Sequence, residues 1–316
     1  IVFTHGLFGQ RTSVAHLARE FAEAGYATLT YDVRGHDTAS GYHTLWGQRE
    51  RLDLVELIQW TQASYPGLVD PTRTGLGGVS QGGILSFDGA AWSGLPIEPN
   101  PWMSGTYPTI AAIVVENFSA EFSATFAPDG LGMHTNAAAA LLGITSVRFD
   151  PQLVAQAANA VLNDDPASWN AIAGDPTRDP GPLVATMTTP VFAMSAWDDF
   201  WFPTEKLVEI LNTLPASTPR CVYLGTGGHS SPANDVERDQ RNVWRRDWFD
   251  RWLKGVAGSP DALPNFTYAV TPSAVNVYLD ELTTWEHGGS AVGPPADTLA
   301  YRLYVADNGE LWPFAP

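Results

Sequence analysis

Short apolar runs alternate with longer amphipathic stretches along most of the chain. The short runs are rich in β-branched residues and predict strands, whereas the longer stretches repeat apolar positions at helical spacing and predict helices. The predicted strands cover residues 1–4, 26–31, 74–79, 110–115, 190–196 and 220–224, and the predicted helices include 13–24, 46–63 and 236–254. Several strands are apolar along their whole length, so both of their faces must be buried. The pattern predicts an α/β fold with a large, mostly parallel, doubly wound sheet.

The alternation of strands and helices stops between residues 118 and 189. This stretch is rich in Ala and Asn, and it contains helical segments such as 136–142 and 151–162 but no clear strand. We expect an inserted helical cap here. Residues 1–117 and 190–255 then form the α/β core.

The last part of the chain has a third pattern. The helix 236–254 is followed by Gly255, a residue that commonly ends helices. Short alternating runs come next, at 266–270, 275–279 and 299–306. So few strands do not make a stable sheet alone, and residues 256–316 are therefore expected to be the start of a C-terminal β-rich domain.

A G-x-S-x-G pentapeptide, Gly78-Val79-Ser80-Gln81-Gly82, lies between a predicted strand and a predicted helix. In hydrolases this motif places a nucleophilic serine on a sharp turn, where only small neighbours fit beside the backbone. A glycine-rich loop with a helix-capping serine would share the pattern, so the assignment depends on partners elsewhere in the chain. Ser80 is the candidate nucleophile.

A serine hydroxyl needs a base to take its proton and an acid to orient the base, which follow in the chain order Ser, Asp, His in this type of site. Asp199 comes directly after the apolar strand 190–196 and four residues before Pro203, a position that favours it as the acid. Its neighbour Asp198 remains an alternative. The candidate acid therefore lies where parallel sheets build their sites, at the carboxyl end of a strand.

The candidate general base is His229. It follows the strand 220–224 within a glycine-rich loop that could bring an imidazole to Ser80. His36 and His134 are the main rivals, although their spacing fits less well. His5 is expected to order its loop rather than to transfer protons.

A tetrahedral intermediate needs preorganised hydrogen-bond donors for its oxyanion. The backbone N–H of Gln81, directly after the nucleophile, is one candidate donor, and the N–H of Leu7, after the first strand, is the other. Aromatic residues near these positions could line a substrate pocket, although core packing explains them equally well. They are Phe8, Trp197, Phe200 and Trp201.

The composition narrows the choice of partners. The formal net charge is −17 and the chain has two lysines, so a nucleic acid backbone or an anionic membrane would be repelled. The single cysteine excludes an intrachain disulfide, no apolar run is long enough to span a bilayer, and no cofactor or metal motif is present. We expect a small-molecule ester or short-peptide substrate, no cofactor, and an extracellular location suggested by the acidic, lysine-poor composition.

Four stretches of the chain resemble the bacterial cocaine esterase and Xaa-Pro dipeptidyl peptidase (CocE/NonD) family of α/β-hydrolases. They are Asp32-Val33-Arg34-Gly35-His36, the elbow 78–83, Ala196-Trp197-Asp198-Asp199-Phe200 and Trp248-Phe249-Asp250-Arg251-Trp252-Leu253-Lys254-Gly255. The resemblance implies an α/β-hydrolase fold with a helical cap and, from 285 to 311, the opening of a jelly roll. It also implies that the first strands and most of the jelly roll lie outside this sequence. Leu7 stands where the family often has a tyrosine.

These observations predict a serine hydrolase that cleaves carboxylic esters through an acyl-enzyme. Leu7 in place of tyrosine moves the prediction away from a proline-specific peptidase, which stays the close alternative. An acyltransferase on the same scaffold is a further alternative, followed by a binding protein that lacks activity.

Overall fold

Seven parallel strands and one antiparallel edge strand form the central sheet of the computed structural model, in the order β2-β1-β3-β4-β5-β6-β7-β8. The structure describes residues 1–119, 121–122, 146–197, 199–229, 235–257, 265–270, 284–287, 304–305 and 311–312. The strands are β1 (Val2–Thr4), β2 (Leu29–Tyr31), β3 (Gly75–Val79), β4 (Ala112–Glu116), β5 (Val191–Ala196), β6 (Arg220–Gly225), β7 (Phe266–Val270) and β8 (Thr284–His287). A separate antiparallel pair comprises β9 (Tyr304–Val305) and β10 (Leu311–Trp312).

Seven α-helices are described in the same ranges, and they cover both faces of the sheet. They are α1 (Ala15–Glu23), α2 (Gln48–Ser64), α3 (Gln81–Ala91), α4 (Pro151–Asn163), α5 (Pro166–Ala173), α6 (Thr204–Asn212) and α7 (Asp235–Lys254). The parallel sheet with helices on its faces confirms the predicted fold class. Helix α4 forms where the cap was predicted to be helical, and the predicted segment 136–142 lies outside the described residues.

Each central strand divides its side chains between two hydrophobic cores. In β5, Val191 and Ala193 join the core that contains α2 and α3, whereas Phe192 and Met194 join the core of the opposite face. Side chains alternate across a strand, so a continuous apolar run supplies both cores at once. The opposite core includes Trp248 of α7, one of the regularly spaced tryptophans of that helix.

The order of strands reverses between β1 and β3. From β1 the chain moves outward to β2, and it then crosses back to place β3 on the other side of β1. In open α/β sheets the crevice at such a reversal, at the carboxyl ends of the strands, is where ligands bind. The loops that leave β1 and β3 carry Gly6 and Ser80, which brings the predicted oxyanion loop and the predicted nucleophile to this crevice.

Strand β7 differs from the sequence expectation. Residues 266–270 were assigned to the C-terminal β-rich unit, but they pair in parallel with β6 and extend the central sheet. Phe266 is buried in the same core as Val191, and an unpaired edge of β6 is thereby covered. The predicted run 275–279 lies outside the described residues, and the division of the chain into core, cap and C-terminal domain stays a prediction.

Helix α3 contains a buried carboxyl group. Asp88 lies about two turns along this helix, every residue of which is buried. Neither carboxyl oxygen of Asp88 has a hydrogen-bond partner among the described residues. Burial raises the pKa of Asp88 to about 8, the positive charge of Arg51 opposes that rise, and Asp179 adds to it. The folded protein therefore keeps Asp88 protonated in a pH range where the unfolded chain releases the proton.

Replacing Asp88 with asparagine should change how stability depends on pH. Because its folded-state pKa exceeds the unfolded value, the wild type loses stability as the pH rises from about 4 to about 8, whereas the variant lacks this titration. The melting temperature of Asp88→Asn, relative to wild type, should rise between about pH 5 and about pH 8. Glu56→Gln, at an exposed carboxylate of α2, is the matched control. A pH-independent difference for Asp88→Asn would contradict the prediction.

Candidate active site

Ser80 occupies a strained turn between β3 and α3. Its backbone has φ 57° and ψ −122°, a combination that costs about 1–3 kcal/mol for a residue with a side chain. The turn is fixed by two backbone hydrogen bonds: Ser80 N–H donates to the Glu116 carbonyl at 2.8 Å, and Ile84 N–H donates to the Ser80 carbonyl at 3.0 Å. The hydroxyl is thereby held at the carboxyl edge of the sheet.

Two glycines of the pentapeptide have no space for a side chain. A Cβ on Gly78 would lie 2.3 Å from the backbone of Gly82, and a Cβ on Gly82 would lie 2.0 Å from the Thr4 carbonyl oxygen. Both distances are far inside van der Waals contact. The motif therefore requires glycine at both positions because helix α3 begins almost in contact with β1.

The structure brings Ser80, Asp199 and His229 together. Asp199 follows β5 and His229 follows β6, so both lie at the same edge of the sheet as Ser80. His229 Nε2 is 2.9 Å from Ser80 Oγ, and His229 Nδ1 is 3.0 Å from each carboxylate oxygen of Asp199. This geometry would let the imidazole take the serine proton while the carboxylate orients the ring.

The environment of Asp199 favours its ionised form. Its side chain is fully buried, and burial alone would raise its pKa. The hydrogen bond and charge of His229, with the backbone N–H groups of Trp201 and Phe202 at 2.9 and 3.1 Å, outweigh burial and lower the pKa of Asp199 below its ordinary value. An ionised carboxylate can only accept, so His229 Nδ1 carries the proton and Nε2 can accept from Ser80. The alternative acid, Asp198, lies outside the described residues.

The loop after β1 lies against the serine. A Cβ on Gly6 would be 3.4 Å from Ser80 Cβ and 4.0 Å from Ser80 Oγ, so the residue directly before Leu7 lies beside the nucleophile. Gln81 is the first residue of α3, where backbone N–H groups have no partner within the helix. The two predicted oxyanion donors thus belong to segments that meet at Ser80.

His5 fixes the loop after β1 through hydrogen bonds inside the protein. It is fully buried, and the Val33 N–H donates to its Nε2 at 3.0 Å. An amide can only donate, so Nδ1 carries the proton and donates to the Gly6 carbonyl at 2.8 Å. Burial lowers the pKa of His5, which favours the neutral ring that both bonds require.

The rival histidines are not placed beside Ser80. His36 is fully buried behind His5, with ring centroids 5.0 Å apart, and its Nδ1 is 3.1 Å from the Arg34 carbonyl. Burial lowers the pKa of His36 to about 3. His134 lies outside the described residues.

The four predicted pocket residues differ in their neighbours and exposure. Phe200 and Trp201 flank His229, with ring centroids 6.2 and 6.0 Å from the imidazole, and Phe200 is strongly exposed. Phe8 is an exposed residue of the loop after β1. Trp197 instead packs against Phe266 and Tyr268 of β7, with ring centroids 6.3 and 5.8 Å away.

Asn117 is a site residue that the sequence reasoning missed. Its side-chain amide donates to Asp199 Oδ2 at 3.2 Å and to the Gly228 carbonyl at 2.8 Å. The available signal was its position, since it is a polar residue directly after the apolar run 110–115 and Glu116. A polar residue at the carboxyl end of a buried strand is where parallel sheets carry functional groups.

The loop of His229 is also held from α7. Glu237, fully buried, accepts from the Thr226 backbone N–H at 3.0 Å and from the Thr226 hydroxyl at 2.5 Å.

Across the residues that the structure describes, no group of three or more His, Cys, Asp or Glu side chains could hold a metal ion. In the same residues, no helix has both the length and the apolar character needed to cross a bilayer.

Part of this chain is similar in sequence to known proteins. Residues 5–96 match the X-Pro dipeptidyl-peptidase (S15) family. A curated Escherichia coli protein, described as an uncharacterized 31.7 kDa protein in the traX-finO intergenic region, is 34% identical over 93 residues, which are 29% of this chain and 32% of that protein. The chain therefore matches about a third of the length of that relative.

Solved structures share the fold. A CocE/NonD family hydrolase from Staphylococcus aureus has a TM-score of 0.60 at 16% identity, over 98% of this chain and 54% of its own. A Pyrococcus furiosus esterase has a TM-score of 0.55 at 17% identity, over 80% of this chain and 81% of its own. An acylaminoacyl peptidase from Pyrococcus horikoshii has a TM-score of 0.52 at 17% identity, over 83% of this chain and 38% of its own. At this identity the likeness shows the fold.

The fold is thus the predicted α/β-hydrolase fold. The family match and these structural neighbours support, as the class of protein, a serine hydrolase of the esterase and peptidase type. Within that class, the family match over residues 5–96 and the CocE/NonD neighbour support the family that the sequence predicted, which comprises the CocE/NonD hydrolases and the X-Pro dipeptidyl peptidases.

The contact at Gly82 gives a direct test of the elbow. Gly82→Ala should destabilise the fold by about 3 kcal/mol or more, because its methyl group would meet the Thr4 carbonyl and the backbone on both sides is fixed. Gly67→Ala is the matched control, since a Cβ at Gly67 meets nothing within 4 Å. Thermal unfolding of both variants measures the difference. Equal melting temperatures would show that α3 can move away from β1.

Proposed function

We propose that this chain hydrolyses carboxylic esters through an acyl-enzyme, with Ser80 as nucleophile, His229 as general base and Asp199 as the acid that orients it. The observation that supports the proposal best is the hydrogen-bond chain from Ser80 Oγ through His229 to Asp199, at distances of 2.9 and 3.0 Å. It combines with a nucleophile on a strained turn and an acid kept ionised.

In the proposed reaction, Ser80 Oγ attacks the ester carbonyl while His229 Nε2 takes the hydroxyl proton. The backbone N–H groups of Gln81 and Leu7 stabilise the negative oxygen of the tetrahedral intermediate. His229 then gives its proton to the leaving alcohol. Water, deprotonated by the same ring, attacks the acyl-enzyme, and collapse of the second intermediate releases the acid and restores Ser80.

A peptidase acting on Xaa-Pro substrates is the second candidate, favoured by the family match over residues 5–96. The ester proposal rests on Leu7, which supplies only a backbone donor where the family often has a tyrosine hydroxyl. Esters have a better leaving group than amides, so two amide donors would serve ester cleavage more readily than peptide cleavage.

Removing the nucleophile should abolish turnover. Ser80→Ala is expected to lower kcat for a p-nitrophenyl ester by about 10⁶-fold and to eliminate labelling by a fluorophosphonate, since no other group could form the acyl-enzyme. Ser64→Ala, at an exposed serine near the end of α2, should retain wild-type activity and labelling. A folded wild type that carries no adduct on Ser80 would refute the proposed function and favour a binding protein.

The choice between ester and peptide substrates can be measured directly. We expect kcat/KM for p-nitrophenyl esters to exceed that for Xaa-Pro p-nitroanilides by about 100-fold or more, a difference of roughly 3 kcal/mol in activation free energy. The reverse order would favour the peptidase. Transfer of the acyl group to an added alcohol in preference to water would favour an acyltransferase.

A further inference from the structure

Strand β4 ends between the predicted nucleophile and the predicted acid. In the sheet it pairs with β3 on one side and β5 on the other, although many residues separate these strands in the sequence. At its end, the Glu116 carbonyl accepts from Ser80 N–H at 2.8 Å, and the Asn117 N–H donates to the Met194 carbonyl of β5 at 2.8 Å. Two consecutive residues therefore tie the serine turn to the strand that carries Asp199.

The Asn117 side chain extends this connection to the histidine. Asn117 is only 2% exposed, and its Nδ2 has two hydrogens that reach different elements. It lies 3.2 Å from Asp199 Oδ2 and 2.8 Å from the carbonyl oxygen of Gly228, the residue directly before His229. One amide group thus joins the carboxylate to the backbone of the histidine loop.

The backbone of Asn117 has an uncommon conformation. Its φ of 45° lies in the left-handed region, which asparagine tolerates better than most residues with a side chain. The unusual backbone conformation occurs at the residue whose side chain donates to both partners. Backbone strain of this kind persists where surrounding contacts fix it, and here those contacts belong to Asp199, Gly228 and Met194.

From these contacts we infer that Asn117 is a positioning residue of the proposed Ser80-His229-Asp199 triad. The inference rests on the proposed function. Asn117 acts through Asp199 and the His229 loop. Its amide keeps the carboxylate facing His229 Nδ1, and it holds the loop in the position in which His229 Nε2 reaches Ser80. The amide is neutral, so it supplies these bonds without adding a second charge beside Asp199.

The variant Asn117→Gly removes the side-chain amide and leaves the backbone conformation of residue 117 accessible. Glycine adopts the same φ without strain, so this variant should fold while losing both side-chain bonds. Misplacement of a reacting group by about 1 Å can cost about 100-fold in rate, and we expect kcat to fall by about 10- to 100-fold with little change in KM. Asp164→Gly, at a residue between α4 and α5 with φ 48°, is the control and should leave activity unchanged.

The variant Asn117→Asp gives a second measurement, the pH dependence of kcat/KM, which a purely structural role of Asn117 would leave unchanged. Among the residues that the structure describes, the Asn117 side chain bonds to one titratable group, Asp199, and His229 is the partner of that carboxylate. The neighbouring Glu116 carboxylate pairs with Arg241 and Arg245 instead. A second carboxylate here favours the charged imidazolium. The acid limb of the kcat/KM pH profile should therefore shift upward by about one unit. An unshifted limb in a folded Asn117→Asp would overturn the inference.

Fluorophosphonate labelling distinguishes failure of this inference from failure of the proposed function. If wild-type Ser80 reacts and Asn117→Gly reacts at least about tenfold more slowly, with the melting temperature of both recorded, the inference is supported. If Asn117→Gly is labelled and turns over ester as fast as wild type, Asn117 is not a positioning residue, while the proposed function stands. If wild-type Ser80 is not labelled at all, the proposed function fails, and the inference fails with it.

Discussion

The contact between Gly82 and the Thr4 carbonyl constrains the whole site. A Cβ at this position would lie 2.0 Å from that oxygen, so helix α3 can begin beside β1 only because residue 82 is glycine. The close approach also explains why the loop of Gly6 lies against Ser80, since β1 ends where α3 begins. The serine turn and the loop of Leu7 are therefore positioned by one backbone contact between strand β1 and helix α3.

Helix α7 supports the same site from the opposite face of the sheet. Its Arg241 and Arg245 form ion pairs with the largely buried Glu116 carboxylate at 2.8 and 2.6 Å, and its Glu237 holds the loop through Thr226. Burial alone would raise the pKa of Glu116, but the two guanidinium groups outweigh it and lower that pKa. Removing one partner of these ion pairs would leave an uncompensated charge, so they couple the end of β4 to α7. The hydrogen bonds from Thr226 to Glu237 couple the loop before His229 to the same helix.

Site residues whose position depends on a single strand and the loop after it could be predicted from the sequence. Ser80, Asp199 and His229 each follow an apolar strand, and parallel strands end at one edge, so their convergence could be expected without knowing which strands are neighbours. Asn117 could not be predicted in the same way. Its role depends on β4 lying between β3 and β5 and on the loop after β6 returning above it, which is a property of the sheet order. Trp197 shows the same limit, because its partners on β7 come about 70 residues later and were assigned to another domain.

Three residues with positive φ lie at the carboxyl edge of the sheet. Phe8, Ser80 and Asn117 have positive φ values of 67°, 57° and 45°, and each follows the end of β1, β3 or β4 within a few residues. A left-handed residue turns the chain sharply and directs a side chain or an amide into the crevice, which a regular continuation of the strand would not do. Such residues cost about 1–3 kcal/mol each. The fully buried helix α3 and the two hydrophobic cores offset that cost, so the stable centre of the fold holds its edge in a conformation suited to chemistry.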